Sequence, residues 1–298
     1  MLDNSRIKYY IGGARIRKVA MNRLPLEKRT QIIGLLVEGN SVRATARLAD
    51  VSFNTVLKLI PQIGAACQKY HDEHVRNLQS QRIECDEIWS FIYGKDKNLP
   101  EDQRGKFGIG SIWTWVAIDA ESKLVVSYLV GNRDADYARM FMYDVAERLK
   151  NRVQMTTDGL KAYLEAVEEN FGADIDFAQL VKMYGKPIEG EHRYSPAECT
   201  GAVKTPITGS PKTKYISTSY VERQNLTMRM NMRRFTRLTN AFSKKVENHA
   251  HAVALHFMYY NYCRIHKTLR VSPAMAAGIE KHLWTVEDLA RLLESDSK

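Results

Sequence analysis

The run "RIECDEIWSFIYG" at residues 82–94 constrains this chain more than any other segment. Ile83, Ile88, Trp89, Phe91, Ile92 and Tyr93 read as a buried strand. Asp86 and Glu87 stand in its middle, and charged side chains almost never sit buried unpaired. Side chains alternate along a strand, so Asp86 shares a face with Ile88 and Ile92, while Glu87 points the other way with Cys85 and Trp89. One of the two acids therefore lies on the covered side or at its margin. It stays ionised there only if a cation or several donors meet it. No Arg or Lys is adjacent in the sequence, which makes a metal ion a candidate; the alternative for Asp86 is a surface acid on an edge strand.

The segments that follow have their own periods. "GSIWTWVAIDAES" and "KLVVSYLVGNRD" alternate as a hairpin of two strands, with Trp113 and Trp115 expected in the core. "DYARMFMYDVAERLK" places Ala138, Phe141, Met142, Val145 and Leu149 at helical spacing. "RVQMTTDG" is a short strand ending at Asp158, "LKAYLEAVEENF" a helix and "FAQLVKMYG" a further strand. Asp158 at a strand end can face the same cleft as Asp86, or simply form a turn or helix N-cap with Gly159. Three antiparallel strands, then helix, strand, helix and strand, is the order of a ribonuclease H-like α/β core. Between Asp158 and residue 216 the stretch "EGEHRYSPAECTGAVKTPITGSPKTK" shows no clear secondary structure and is expected to be a loop touching DNA or a partner.

The placement of charge adds a partner class. The formal net charge is +10. Residues 1–84 carry 14 Lys/Arg against 7 Asp/Glu, residues 85–222 carry 17 against 21, and residues 223–270 carry 10 against 1. Two basic regions flank an acidic centre, a pattern that fits a polyanion held at two places, with nucleic acid the default. No apolar run approaches the ~20 residues needed to cross a bilayer. The basic N-terminus has no apolar segment behind it, so no secretory leader is expected. Cys67, Cys85, Cys199 and Cys263 are scattered without CxxC or Cys/His spacing, so no zinc site and no disulfide framework are expected, and the cytoplasm fits.

Residues 26–60 read as three short helices. Ile32, Leu35 and Leu36 line the first; Ser41 can cap the second, with Val42, Ala46 and Ala49 inward; Ser52 can cap the third, with Phe53, Val56, Leu57, Leu59 and Ile60 available for packing. This is a helix-turn-helix pattern with Asp50 at the turn. Its recognition helix would present Ser52, Asn54, Thr55 and Lys58 to base edges; a plain three-helix bundle is the alternative. Residues 61–81 read as a polar, partly helical connection, and the expected division is an all-α helix-turn-helix domain over 1–65, a connector over 66–81, a catalytic domain over 82–278 and a helical tail over 279–298.

A third acid opens the helix "STSYVERQNLTMRMNMRRF". Ser219-x-x-Glu222 fits a capping box. Below Glu222 on the same face come Asn225, Leu226, Arg229 and Arg233, an order that suits metal at one end and DNA phosphates along the rest. His249, His251, His256 and His266 lie among apolar neighbours and read as core or phosphate-contacting residues. "HFMYYNYC" reads as packing of the last long helix.

The stretches "CDEIWSFI", "TTDGLKAY" and "SYVERQNLTMRMNMRRFTRLTNAFSKKVENH", followed by "YNYCRIHKTLRVSPAMAAG", resemble transposases of bacterial insertion sequences, within the insertion-sequence-one-like family that carries a DDE triad. The resemblance covers about residues 82–278. It implies a ribonuclease H-like core in which Asp86, Asp158 and Glu222 are catalytic and bind Mg²⁺, with Mn²⁺ a possible substitute; Asn225, Arg229 and Arg233 would contact DNA. Family members often carry an N-terminal cysteine zinc motif, and this chain has none. The resemblance further implies transposon-end and target DNA as partners, a homodimer or higher assembly on DNA, and a nucleoid-associated location. Two other readings compete: a non-enzymatic helix-turn-helix regulator, and a nuclease of the same fold that does not join strands.

Overall fold

The computed structural model describes residues 24–106, 108–185, 198–236 and 240–295. Its first helices are α1 (Leu26–Val37), α2 (Val42–Leu48) and α3 (Phe53–His74). Ser41 and Ser52 cap α2 and α3, accepting from the amides of Ala44 and Thr55 at 3.1 Å each. Asp50 takes φ +49° in the turn between them, a left-handed conformation that Asp tolerates. Phe53, expected to pack, is instead 40% exposed with the Arg43 guanidinium 5.3 Å from its ring centre. Residues 1–23 of the expected first domain lie outside the described residues.

α3 is longer than the short third helix expected: it runs through Pro61 to His74, so the boundary expected at residue 65 falls inside it and the helical part of the connector is continuous with it. A proline inside a helix costs about 3 kcal/mol, yet the apolar stripe of Val56, Leu59, Ile60, Ile63 and Cys67 continues past it. That stripe packs on a later helix so closely that a Cβ on Gly64 would lie 2.4 Å from Cβ of His251. Burial of the whole face outweighs one lost hydrogen bond.

Among the described residues, six strands form one mixed sheet. β1 (Arg82–Ile92), β2 (Gly110–Asp119) and β3 (Val125–Gly131) are joined antiparallel, as expected. The chain then forms α4 (Ala135–Arg148) and returns as β4 (Gln154–Thr157), parallel to β1 on its other side. α5 (Ala162–Phe171) leads to β5 (Asp176–Tyr184), parallel to β4. β6 (Cys199–Thr208) then adds antiparallel to β5, giving the order β3-β2-β1-β4-β5-β6.

β6 lies in the stretch expected to be loop; residues 186–197 of that stretch lie outside the described residues. Its sequence carries Gly201 and Pro206 and no apolar alternation, and almost every residue is exposed. Pairing with β5 makes it a strand, and an edge position tolerates the proline.

α6 (Ser219–Asn231), α7 (Val246–Met258), α8 (Pro273–Ala276) and α9 (Val286–Ser295) complete the fold. Cys85 and Trp115 pack with α4 and α5 residues Phe141 and Tyr163 in one core cluster, whereas Ile88 and Val116 pack with Val221, Met228, Val253 and Phe257 of α6 and α7 in another. The expected tail is part of the core: Leu289 and Ala290 of α9 are fully buried, and Arg29 of α1 pairs with Glu294 at 2.8 Å. No described helix is long and apolar enough to cross a membrane.

Candidate active site

The two acids of β1 are where alternation puts them. Asp86 sits between Glu84 and Ile88 on the α6 side, and Glu87 points into the α4–α5 side with only 1% of its side chain exposed. The site opens here because β4 stops short. Its last residue, Thr157, pairs with Cys85, so from Asp86 to Phe91 β1 has no strand partner on that edge until Ile92 bridges Ser243. The carboxyl ends of parallel strands, beside the point where strand order reverses, are a general place for ligand clefts. Asp158 follows β4 directly into the gap.

Asp86, Asp158 and Glu222 line one cleft of about 750 Å³, with Arg133, Lys161, Lys182 and Tyr184 also on its walls. Ligand atoms of Asp86, Glu87 and Asp158 lie within 4.8 Å of one another. Glu222 stands apart from that tight group. Its carboxylate is ion-paired with Lys182 of β5 and accepts from the Thr218 hydroxyl at 2.7 Å. Ser219 is not the cap, because Thr218 occupies that position and Glu222 takes a hydroxyl rather than a backbone amide.

The cation that the sequence did not reveal is Arg133, just before α4. It donates from Nε to Glu87 at 2.9 Å and from Nη2 to Asp158 at 3.2 Å. Trp113, expected in the core, is half-buried and lies beneath this guanidinium, 4.9 Å from ring centre to Cζ. Arg133 lies 46 residues from Glu87 along the chain, so no local pattern announced it.

Three further residues hold the acids in place. Asn225 donates its amide to Asp86 at 2.8 Å and is 8% exposed. Expected on a DNA-facing surface, it is instead turned inward onto the acid. Glu84, buried on β1, accepts from the amides of Tyr220 at 2.7 Å and Val221 at 3.2 Å, so β1 itself caps the helix that carries Glu222. Gln179 of β5 donates to the backbone carbonyls of Asp158 at 2.9 Å and Leu160 at 3.1 Å. Asp158 also accepts from the Leu160 amide at 2.9 Å, the turn role its sequence allowed. Strand alternation does place Glu84 beside Asp86, a signal available without coordinates.

Charge is only partly balanced here. Burial, and then the charges of Glu87, Asp158 and Glu222, push Asp86 up to about 7. Burial and Asp158 push Glu87 up to about 7 as well, against the opposing pull of Tyr163 and Arg133. Burial raises Glu84 to about 6 although its two amide donors oppose this. A hard divalent ion about 2.1 Å from each oxygen holds neighbouring ligands about 3–4 Å apart. The ligand atoms of Asp86, Glu87 and Asp158, within 4.8 Å of one another, lie a little outside that spacing. An all-oxygen donor set suits Mg²⁺ or Mn²⁺ rather than zinc.

Other expected contacts are dispersed. Ser52 and Thr55 hydrogen-bond each other at 2.8 Å, while Asn54 and Lys58 are exposed at the start of α3. Arg229 is half-buried on α6. Arg233 is not on that helix: α6 ends at Asn231 because Met232 and Phe235 turn into the core, and Arg233 opens a separate 3₁₀ turn with its side chain exposed. His249, His251 and His256 are buried core residues. Burial lowers His249 and His256 to about 3.

No family model and no curated protein matches this chain. Among solved structures, it is similar to a Mos1 strand transfer complex at 13% identity, covering 54% of this chain and 60% of that one with a TM-score of 0.24. A Mos1 transposase paired-end complex with the left transposon end gives 13% identity, 51% and 59% coverage and a TM-score of 0.21. A Mos1 mariner paired-end complex with Mn gives 14%, 55%, 63% and 0.20. The chain spans less than two thirds of the length of each of these transposase chains.

Proposed function

We propose that this chain is a DDE-type DNA transposase with a ribonuclease H-like core, which binds the terminal repeats of an insertion sequence and catalyses metal-dependent strand cleavage and strand transfer. One observation carries the reading: Asp86 on β1, Asp158 after β4 and Glu222 on α6 line a single cleft although they are far apart in sequence. Asp86 in the cleft and Glu87 beside it are held at about 7, chiefly by burial and then by neighbouring carboxylates, a cost that a divalent cation relieves.

In this reading Asp86, Asp158 and Glu222 hold Mg²⁺, which supplies activation of the attacking oxygen and stabilisation of the leaving one. Asn225 keeps Asp86 turned to the cleft, Gln179 holds the Asp158 turn, and Glu84 holds the helix start that carries Glu222. α2 and α3 form the helix-turn-helix reader, with Ser52, Asn54, Thr55 and Lys58 toward base edges; Arg229 and Arg233 contact phosphates. The protein acts as a homodimer or larger assembly in the nucleoid, since two ends must be held together.

The test uses the full-length protein and DNA carrying the repeats that flank its gene, with Mg²⁺ or with chelator. Wild type should cut the end to a 3′-hydroxyl and join it to a second duplex. Asp86→Asn, Asp158→Asn and Glu222→Gln should each abolish cutting while leaving end binding intact. Cutting without joining would make the chain a plain nuclease. Sequence-specific binding with no metal-dependent cutting would make it a regulator.

A further inference from the structure

We propose that Arg133 is an internal competitor for the metal: its guanidinium rests between Glu87 and Asp158, where a divalent ion would sit, and withdraws when the ion enters. This rests on reading the cleft as a metal site, and it adds Glu87 and Arg133 to the residues that govern that site. Arg133 contacts two of the three carboxylates that lie within 4.8 Å of one another. A guanidinium and a dication cannot share those oxygens at close range without strong repulsion in a half-buried setting. One must displace the other.

The local structure lets Arg133 leave without unfolding anything. Its neighbour Asp134 caps α4, accepting from the Tyr137 amide at 3.0 Å, so the backbone here is held independently of the Arg133 ion pairs. A third of the Arg133 side chain is exposed, and the Trp113 ring beneath it offers a cation-binding face beside the acids. Glu87, almost fully buried, cannot follow the guanidinium into solvent. It stays in place on β1 whichever cation is present. The resting protein therefore protects its acid cluster with a built-in cation, at the expense of metal affinity.

Calorimetric titration of Mg²⁺ and Mn²⁺ into full-length wild type, Arg133→Gln and Arg133→Lys tests this directly. Arg133→Gln should bind the ion about tenfold or more tightly than wild type, with Arg133→Lys between the two. Unchanged or weaker binding by a folded Arg133→Gln protein would overturn the proposal. A second readout needs no change at Arg133. Mg²⁺ should alter wild-type tryptophan fluorescence with the same midpoint as the calorimetry, and that component should vanish in Trp113→Phe. A metal response that persists unaltered in Trp113→Phe would also sink it. If neither wild type nor Arg133→Gln takes up an ion, the metal reading itself falls, and the proposal with it. If wild type binds, Asp158→Asn does not, and Arg133→Gln gains nothing, only the competition is wrong.

Discussion

Two clusters of buried charge in this molecule are built in opposite ways. Around Arg148, 3% exposed at the end of α4, one guanidinium meets Asp144 at 2.7 and 3.0 Å, Asp72 at 2.6 Å and the Val75 carbonyl at 3.1 Å. Ser127 donates to the same Asp144. Burial alone would raise Asp144, yet Arg148 holds it below its usual value. At the cleft, Glu87 and Asp158 share one guanidinium, and the side-chain donor to Asp86 is the Asn225 amide. There burial wins, and Asp86 and Glu87 are pushed up. The first cluster is closed and ties α3 to α4; the second is left short of positive charge. Uncompensated buried charge lowers stability, and such cost concentrates where a ligand later removes it.

The contrast can be broken from the closed side first. Arg148→Ala should lower unfolding stability by about 3–5 kcal/mol in urea melts, because it strands Asp144 in the interior. A loss below about 1 kcal/mol would mean the cluster is ornamental.

The open side should respond in the reverse direction. Asp86→Asn should raise the stability of metal-free protein by about 1–2 kcal/mol at pH 8 while destroying metal uptake. The sign follows from the titration. Asp86 and Glu87 ionise higher in the fold, at about 7, than in the unfolded chain, where 3.8 and 4.5 apply. The stability they carry is full below about pH 4 and is lost as pH rises through about 7. Without metal, melting temperature should therefore sag across that window; Mg²⁺ should restore it in wild type but not in Asp86→Asn. A flat metal-free profile would show that the cleft carries no excess charge.

The smallest effect sharpens the comparison at the helix cap. Glu84→Gln keeps an acceptor for the Tyr220 and Val221 amides and should change stability by less than about 1 kcal/mol, whereas Glu84→Ala should cost about 1–3 kcal/mol. If the two variants behave alike in chemical denaturation, the hydrogen bonds from β1 to α6 are not what holds Glu222 in place.

Much of the framework was legible in advance, and particular residues show why. Ser41 and Ser52 were read as caps and are caps, because a capping serine acts within three residues of itself. The β1–β2–β3 hairpins and the α4–β4–α5–β5 succession followed from apolar periods of two and 3.6 residues. β6 was missed because its strand character comes from β5 rather than from its own residues. The end of α6 is not legible from helix spacing, because Met232 and Phe235 are drawn into the core just past Asn231. The continuity of α3 through Pro61 is not visible locally, because it depends on the helix that α3 packs on.

The sequence by itself determined the order of β1 to β5 with α4 and α5, the faces of Asp86 and Glu87, and the three acids worth following. These are short-range properties, set by backbone geometry and side-chain alternation within a few residues. Only the tertiary structure decided which groups meet those acids: Arg133 for Glu87 across 46 residues, Glu84 for the start of α6 across 136, and Asn225 for Asp86 across 139. Ion pairs and hydrogen bonds act over a few ångströms of space, and distance along the chain carries no record of which residues folding will bring that close.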